Sequence, residues 1–154
     1  AGWTGRGTGL ADEAVARKAG IVARAVAVND PADAGGLEIL RRLGGRELVA
    51  MAGAIAKARR ARIPVVLDGF ICTAAAACLE AAHRGMLDHA VAGHVSAEPG
   101  HAQLLRALDK APILSLGLRL GEGSGGVLAI SVVQAALACH SGMATFAEAG
   151  VAGG

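Results

Sequence analysis

The chain has 154 residues and a formal net charge of +2, and 53% of its residues are hydrophobic although only 2% are aromatic. That length suits one domain with a buried core, and a near-neutral chain with few aromatic rings is unlike nucleic-acid-binding proteins. Three cysteines without a CxxC pair indicate reduced thiols in a cytosolic protein, and we expect no membrane span because no apolar run of about 18 residues is evident.

Helices are predicted in the first part of the chain. Apolar residues recur at helical spacing over residues 11–28, after a glycine loop at 5–9. A turn at 29–36 is followed by a predicted short helix at 37–45, capped by Gly44 and Gly45. A longer helix is predicted at 46–62, and its basic end is interpreted as a solvated terminus where cations complement the helix dipole.

Three short strands, each followed by a loop and a helix, are predicted in the rest of the chain. The first is a continuous apolar run at 63–67, stopped by Asp68 and Gly69 and followed by a helix at 71–85. Strands at 87–94 and 112–118 precede helices at 99–109 and 127–140. This order predicts an α/β fold with a mainly parallel sheet flanked by helices.

Polar residues are concentrated in loops at 5–9, 93–101 and 119–126. The last two loops follow predicted parallel strands, at the edge where α/β proteins bind ligands, so we expect them to converge. Ser96 could hydrogen-bond a phosphate or a ribose there, and Lys18 would supply positive charge if it faces these loops. Asp68 either opens a helix or binds ribose hydroxyls.

The loop at 119–126 places Glu122 among glycines. Gly121, Gly123 and Gly126 satisfy GxGxxG, but the match is weak because no acidic residue ends a second strand about 20 residues later. An NAD-binding oxidoreductase is therefore a minor alternative, and a plain tight turn with Glu122 in solvent is another. A carboxylate beside an anion-binding helix terminus predicts instead a general base or a clamp for a protonated nitrogen.

Histidines near the second loop raise the question of a metal site. His94 and His101 flank Ser96 and Glu98, but neither HExxH nor a Cys/His knuckle spacing is present, so no metal is expected. The remaining histidines are interpreted as surface or satisfied core residues.

Five segments together resemble nicotinate-nucleotide:dimethylbenzimidazole phosphoribosyltransferases: GRGTGL, VLDGFICTAAA, GHVSAEPGH, LGLRLGEGSGG and MATFAEAGV. The resemblance implies a Rossmann-like, mainly parallel sheet in a cytoplasmic homodimer. It also implies transfer of phosphoribose from nicotinate mononucleotide to 5,6-dimethylbenzimidazole, giving α-ribazole 5′-phosphate and nicotinate for the lower ligand of cobalamin. No cofactor or metal is implied, because the pyridinium nitrogen of the donor leaves as a neutral base.

The same resemblance assigns roles to residues. Glu122 would be the general base, and Lys18 and Ser96 would contact the phosphoribosyl group, with Asp68 at the edge of the cleft. The loop around the substrate and the wall of the base pocket would be formed by Gly121, Gly123, Ser124 and Gly125 and by Leu118 and Leu120.

Family members are considerably longer than this chain, and their amino-terminal part carries a GEMGIGNTT-type segment that is not found here. We therefore expect residues 1–154 to be the carboxyl-terminal portion of a phosphoribosyltransferase domain. The alternative is a truncated, non-catalytic fragment for nucleotide binding or assembly.

Overall fold

The computed structural model describes residues 2–7, 9–29 and 32–151. Within them, strands β1 (Val65–Leu67), β2 (Ala90–His94) and β3 (Pro112–Leu114) form a sheet in the order β1-β2-β3. Both strand pairs are parallel, with Val65 opposite Ala90 and His94 opposite Leu114. The predicted α/β fold with a parallel sheet flanked by helices is confirmed.

The helices also follow the predicted order. They are α1 (Asp12–Asn29), α2 (Gly36–Ile39), α3 (Gly45–Arg60), α4 (Phe70–Ala82), α5 (Pro99–Ala107) and α6 (Ser124–Gly142). The predicted stop at Gly44 and Gly45 is found, since Gly45 caps a π-helical turn at Leu40–Gly44 that extends α2, but α3 begins at Gly45 with no loop between them. Gly45, at φ +68°, supplies the left-handed residue at which the helix changes direction.

All three strands are shorter than predicted: β1 begins two residues later, at Val65, and hydrogen bonds hold the residues before β2 and after β3 outside the sheet. The Glu80 carboxylate accepts hydrogen bonds from the N–H groups of Gly85 (2.7 Å) and Leu87 (3.0 Å), which holds residues 84–89 in turns and delays β2 to Ala90. After Leu114 the chain leaves the sheet, and the Leu118 carbonyl instead accepts a hydrogen bond from Ala97 N–H (2.9 Å). The two loops after β2 and β3 are thereby bound to each other.

The hydrophobic core lies between α3, α4 and one face of the sheet. It is built mainly from aliphatic and alanine side chains: Leu40, Ala52, Ile55, Leu67, Ala75, Ala76, Leu79, Leu87 and Ala90. On the other face, α6 approaches β2 closely at Gly93, where a Cβ would lie 3.2 Å from the Cβ of the buried Ala129. That close approach places the start of α6 above the end of β2.

Much of α6 is exposed. Val127 is 65% exposed and Leu137 is 59% exposed. The apolar side chains of Met143 and Phe146, which come after the helix, are also exposed. By length and composition this helix of 19 residues could cross a membrane, so the expectation that no apolar stretch reaches that length is wrong. A single helix of this kind is weak support for a membrane span, because helices that pack in protein interiors share these properties.

Candidate functional site

A cleft of about 480 Å³ lies at the carboxyl ends of the strands. The two loops that were expected to converge both contribute to it, through Ser96 and Glu98 and through residues 118–123, and the amino-terminal loop adds Gly7. Of the residues predicted to form the site, the cleft is lined by Asp68, Ser96, Leu118, Leu120, Gly121, Glu122 and Gly123. Lys18, Ser124 and Gly125 are not among its lining residues.

The amino-terminal loop reaches the cleft because it packs on the start of α5. A Cβ on the buried Gly5 would lie 1.9 Å from Glu98 Oε2 and 2.8 Å from Pro99 Cδ, so only glycine allows this contact. Lys18 Nζ donates a hydrogen bond to the Gly5 carbonyl (3.2 Å). In this structure Lys18 holds the loop in place, and a contact between Lys18 and a phosphate remains a prediction.

Glu122 lies at the mouth of the cleft in a strained backbone conformation. Its φ is +55°, between Gly121 at +83° and Gly123 at +78°, and its side chain is exposed. A residue with a Cβ costs roughly 1–2 kcal/mol in this left-handed region, where glycine is nearly free of strain. The carboxylate therefore occupies a position whose geometry favours glycine.

Asp68 anchors the first turn of α6. Its Oδ1 accepts a hydrogen bond from Gly126 N–H (2.8 Å) and lies 3.4 Å from His94 Nε2. A carboxylate at a helix amino terminus is also favoured by the helix dipole. Asp68 thus occupies part of the helix terminus that the sequence had suggested for phosphate. A second N–H group of this turn, that of Ser124, donates a hydrogen bond to the Gly121 carbonyl (3.0 Å).

Two buried histidines lie beneath the cleft. His94 is 3% exposed and His101 is 0% exposed, with ring centroids 6.1 Å apart at 80°. Burial, and then the nearby His94, lower the pKa of His101 to about 4, although Asp68 opposes the shift. The ring of His101 is therefore neutral near pH 7.

The histidines do not form a metal centre. Among the residues that the structure describes, no group of three or more His, Cys, Asp or Glu side chains could hold a metal ion. His101 instead bonds to Ser96 and to Thr73, whose hydroxyl bonds to the Gly69 carbonyl.

Gly125 is required by the packing of His94 and does not face the cleft. A Cβ there would lie 2.1 Å from His94 Cδ2 and 2.4 Å from Nε2, which no side chain could accommodate without movement of the ring. In this structure Gly125 packs on the histidine, and its contact with substrate remains a prediction. Ser124, the first residue of α6, follows the lining residue Gly123 directly.

Sequence reasoning missed several lining residues. Phe70, Ile71 and Cys72 form one wall, and they directly follow Asp68 and Gly69 at the same strand end, which was a usable signal. Met51 comes from the middle of α3 and carries no local signal. Burial raises the pKa of the Cys72 thiol, so it is a poor nucleophile near pH 7.

A second cleft of about 560 Å³ lies between the carboxyl-terminal halves of α4 and α5 and the turn before β2. Two of its charged groups are engaged in structural bonds. Glu80 binds two backbone N–H groups, and Lys110 Nζ donates to the Leu87 carbonyl (2.9 Å). The cleft at the carboxyl ends of the strands is therefore the better candidate for substrate chemistry.

Comparisons with known proteins agree with this assignment of the fold. A phosphoribosyltransferase family model matches residues 1–151. Curated relatives from Ruegeria sp. (strain TM1040) and Jannaschia sp. (strain CCS1), both named nicotinate-nucleotide–dimethylbenzimidazole phosphoribosyltransferase, are 68% and 66% identical over 152 residues. Each alignment covers 99% of this chain and 45% of the relative.

A solved structure gives the same result in three dimensions. The crystal structure of CobT from Thermus thermophilus matches with a TM-score of 0.90 at 48% identity, over 98% of this chain and 45% of that chain. The chain thus spans less than half the length of the relatives that it matches. From the fold, the strand-end cleft and these matches together, we conclude that the chain belongs to the phosphoribosyltransferase family.

Proposed function

We propose that this chain forms the phosphoribosyl-binding part of an enzyme that transfers phosphoribose from nicotinate mononucleotide to 5,6-dimethylbenzimidazole. The products would be α-ribazole 5′-phosphate and nicotinate, as in the synthesis of the lower ligand of cobalamin. The observation that carries the proposal is the position of Glu122 and Ser96 on one cleft, beside an apolar wall. The names of the relatives supply the substrates.

The proposed reaction needs a base and a fixed sugar, and no redox step. One benzimidazole nitrogen attacks the anomeric carbon while the bond from that carbon to the pyridinium nitrogen breaks, and its electron pair neutralises the nicotinate ring. Glu122 accepts the proton from the other benzimidazole nitrogen. A well-placed general base is worth roughly 10²–10⁴-fold in rate.

The apolar wall suits the flat aromatic base in this proposal. Leu118 and Leu120 line the cleft beside Glu122, and Phe70 and Ile71 line it from the start of α4. Lys18, Asp68, Gly121, Gly123 and Ser124 are proposed to surround the phosphoribosyl group, with Gly125 behind them.

Glu122 adopts a φ of +55° that glycine would adopt at lower cost, as Arg62 (φ +58°) and Asp109 (φ +52°) also do just after α3 and α5, so the strain alone assigns the carboxylate no role. Glu122→Gly should therefore stabilise the fold by roughly 1 kcal/mol while removing the proposed base. Glu122→Gln keeps the strain and the shape and also removes the base.

The test follows nicotinate release from nicotinate mononucleotide in the presence of dimethylbenzimidazole. It compares the chain, Glu122→Gln and Glu122→Gly, with the full-length Ruegeria relative as the positive control. We expect a loss of roughly 10²–10⁴-fold in both variants. If both variants keep full activity, Glu122 is only a turn residue and the proposed mechanism is wrong.

A non-catalytic nucleotide-binding or assembly fragment is the second candidate, and the short span of this chain relative to its relatives favours considering it. It predicts binding of nicotinate mononucleotide without nicotinate release. A homodimer in the cytoplasm is proposed on the family resemblance alone.

A further inference from the structure

A chain of hydrogen bonds runs from the cleft into the protein interior behind Ser96. The Ser96 side chain and backbone both contact His101, His101 contacts Thr73, and Thr73 contacts the Gly69 carbonyl. His101 and Thr73 are both 0% exposed, so water does not compete for these bonds. Each group in this series of hydrogen bonds has a limited number of protons to donate, and this fixes which group donates in each hydrogen bond.

The direction of these hydrogen bonds follows from the last acceptor in the series, the Gly69 carbonyl. The Gly69 carbonyl can only accept, so the single hydroxyl proton of Thr73 is donated to it (2.8 Å). Thr73 Oγ1 must then accept from His101, which places the ring proton on Nε2 (3.0 Å).

The Ser96 end of the chain gives the same answer independently. The Ser96 backbone N–H can only donate, and it donates to His101 Nδ1 (2.9 Å), so Nδ1 carries no proton. Ser96 Oγ is also 2.9 Å from Nδ1, where its lone pairs would repel that of the ring nitrogen, so its hydroxyl proton lies between them and shares the single Nδ1 lone pair with the backbone N–H. The hydroxyl proton of Ser96 therefore points into the protein, and its lone pairs remain for the cleft.

We propose that His101 is a positioning residue that presents the Ser96 hydroxyl to the cleft as a hydrogen-bond acceptor. An acceptor binds a donor, and the donors on nicotinate mononucleotide are the ribose hydroxyls, so on that ligand its partner is a ribose hydroxyl and not the ionised phosphate. This inference rests on the proposed function for the identity of the ligand. It also separates the two roles, ribose or phosphate, that the sequence left open for Ser96.

The surroundings of His101 keep the ring in this state. Phe70 packs against it with ring centroids 6.2 Å apart, and Trp3 stacks on Phe70 at 6.4 Å. Burial and His94 lower the pKa of His101 to about 4, which leaves Nδ1 free to accept at neutral pH. The ring is therefore fixed in orientation and in protonation.

The first test measures the ring directly. In ¹⁵N-detected correlation spectra of the chain at pH 7, with His101→Asn used to assign the signals, Nε2 should resonate as a protonated nitrogen and Nδ1 as an unprotonated one. The opposite tautomer, or a doubly protonated ring, would overturn the inference. This readout needs no ligand and is independent of the proposed function.

The second test asks which part of the ligand Ser96 contacts. Dissociation constants are measured for nicotinate mononucleotide, for its 2′-deoxy and 3′-deoxy analogues and for inorganic phosphate. The chain should bind one deoxy analogue roughly 3- to 10-fold more weakly than the parent, the value of one hydrogen bond, and Ser96→Ala should lose that discrimination. An equal loss for all four ligands in Ser96→Ala would show a phosphate contact and refute the proposal.

Two variants of His101 complete the design. The side-chain oxygen of His101→Asn can replace Nδ1 as acceptor and should retain most of the discrimination, whereas His101→Phe fills the space without an acceptor and should lose it. Equal discrimination in the two variants would contradict positioning through Nδ1. If nicotinate mononucleotide fails to bind while the Nε2–H tautomer is found, the proposed function fails for this chain, and the orientation of Ser96 is still supported.

Discussion

Gly125 and Gly126 are adjacent, both buried and both in the first turn of α6, yet the structure predicts opposite responses to alanine. A Cβ on Gly125 would lie 2.1 Å from His94 Cδ2, whereas a Cβ on Gly126 would lie 3.6 Å from the nearest atoms of Asp68. The first distance is a severe overlap, and the second is an ordinary van der Waals contact. The pair therefore provides its own matched control.

The overlap at Gly125 cannot be relieved by a small rotation. The His94 ring is 3% exposed, is 3.4 Å from Asp68 Oδ1 and meets His101 edge-on, so either the ring or the helix must move by more than 1 Å. Overpacking of this kind costs typically 1–3 kcal/mol, and the rigidity of the site places Gly125→Ala at about 3 kcal/mol. For a domain of this size that corresponds to a fall in Tm of roughly 6–12 °C.

Gly126→Ala should leave the free energy of unfolding unchanged or raise it by roughly 0.5 kcal/mol, because alanine loses less backbone entropy in a helix. Thermal unfolding followed by far-UV circular dichroism measures both variants, and titration with nicotinate mononucleotide shows whether displacement of His94 also weakens binding. Equal melting temperatures for the two variants would refute the proposed packing of α6 against His94.

Two further predictions concern stability. Because the pKa of His101 is about 4 in the fold and near 6.5 when unfolded, the unfolded chain binds the extra proton as the pH falls, and stability should drop by up to about 3 kcal/mol between pH 6.5 and 4. In urea unfolding, the free energy of unfolding should fall with decreasing pH above pH 4.5 in the wild-type protein and not in His101→Asn. Glu38 does not contribute in this range, because Arg41 and Arg42 lower its pKa to about 2 and its effect on stability lies below its ordinary pKa of 4.5. Gly36→Ala should be strongly destabilising, because its Cβ would lie 1.9 Å from the Cys78 carbonyl oxygen. Gly35→Ala is the control and should have little effect, because a Cβ there would meet open space. Similar urea midpoints for the two variants would contradict this packing of α2 on α4.

The order of elements and the location of the cleft could be predicted because both follow from local patterns. Buried apolar runs and helical periodicity identify strands and helices, and parallel strands bring their carboxyl ends to one edge. Ser96 and Glu122 were found in this way, from loops that follow β2 and β3. The ends of the strands were misplaced because they depend on contacts such as that between Ala97 and Leu118, which no local pattern specifies.

The partners of individual side chains could not be predicted, because they join distant parts of the chain. Asp68 bonds to the amide of Gly126, 58 positions away, and Thr73 bonds to His101, 28 positions away. The sequence placed both Asp68 and the start of α6 at one edge but gave no reason to pair them. The histidine beneath Ser96 was considered only as a metal ligand, since its role depends on a hydroxyl from another helix.

The glycine loop shows why a spacing motif alone was insufficient. In a dinucleotide fingerprint the third glycine allows close packing of helix on strand. Here Gly121 and Gly123 are required for their positive φ, but the third glycine of the match, Gly126, has room for a methyl group. The close approach falls on Gly125, outside the pattern, because a histidine ring lies there. The GxGxxG match therefore arises from a turn that carries Glu122, and its geometry gives no support to a pyrophosphate site.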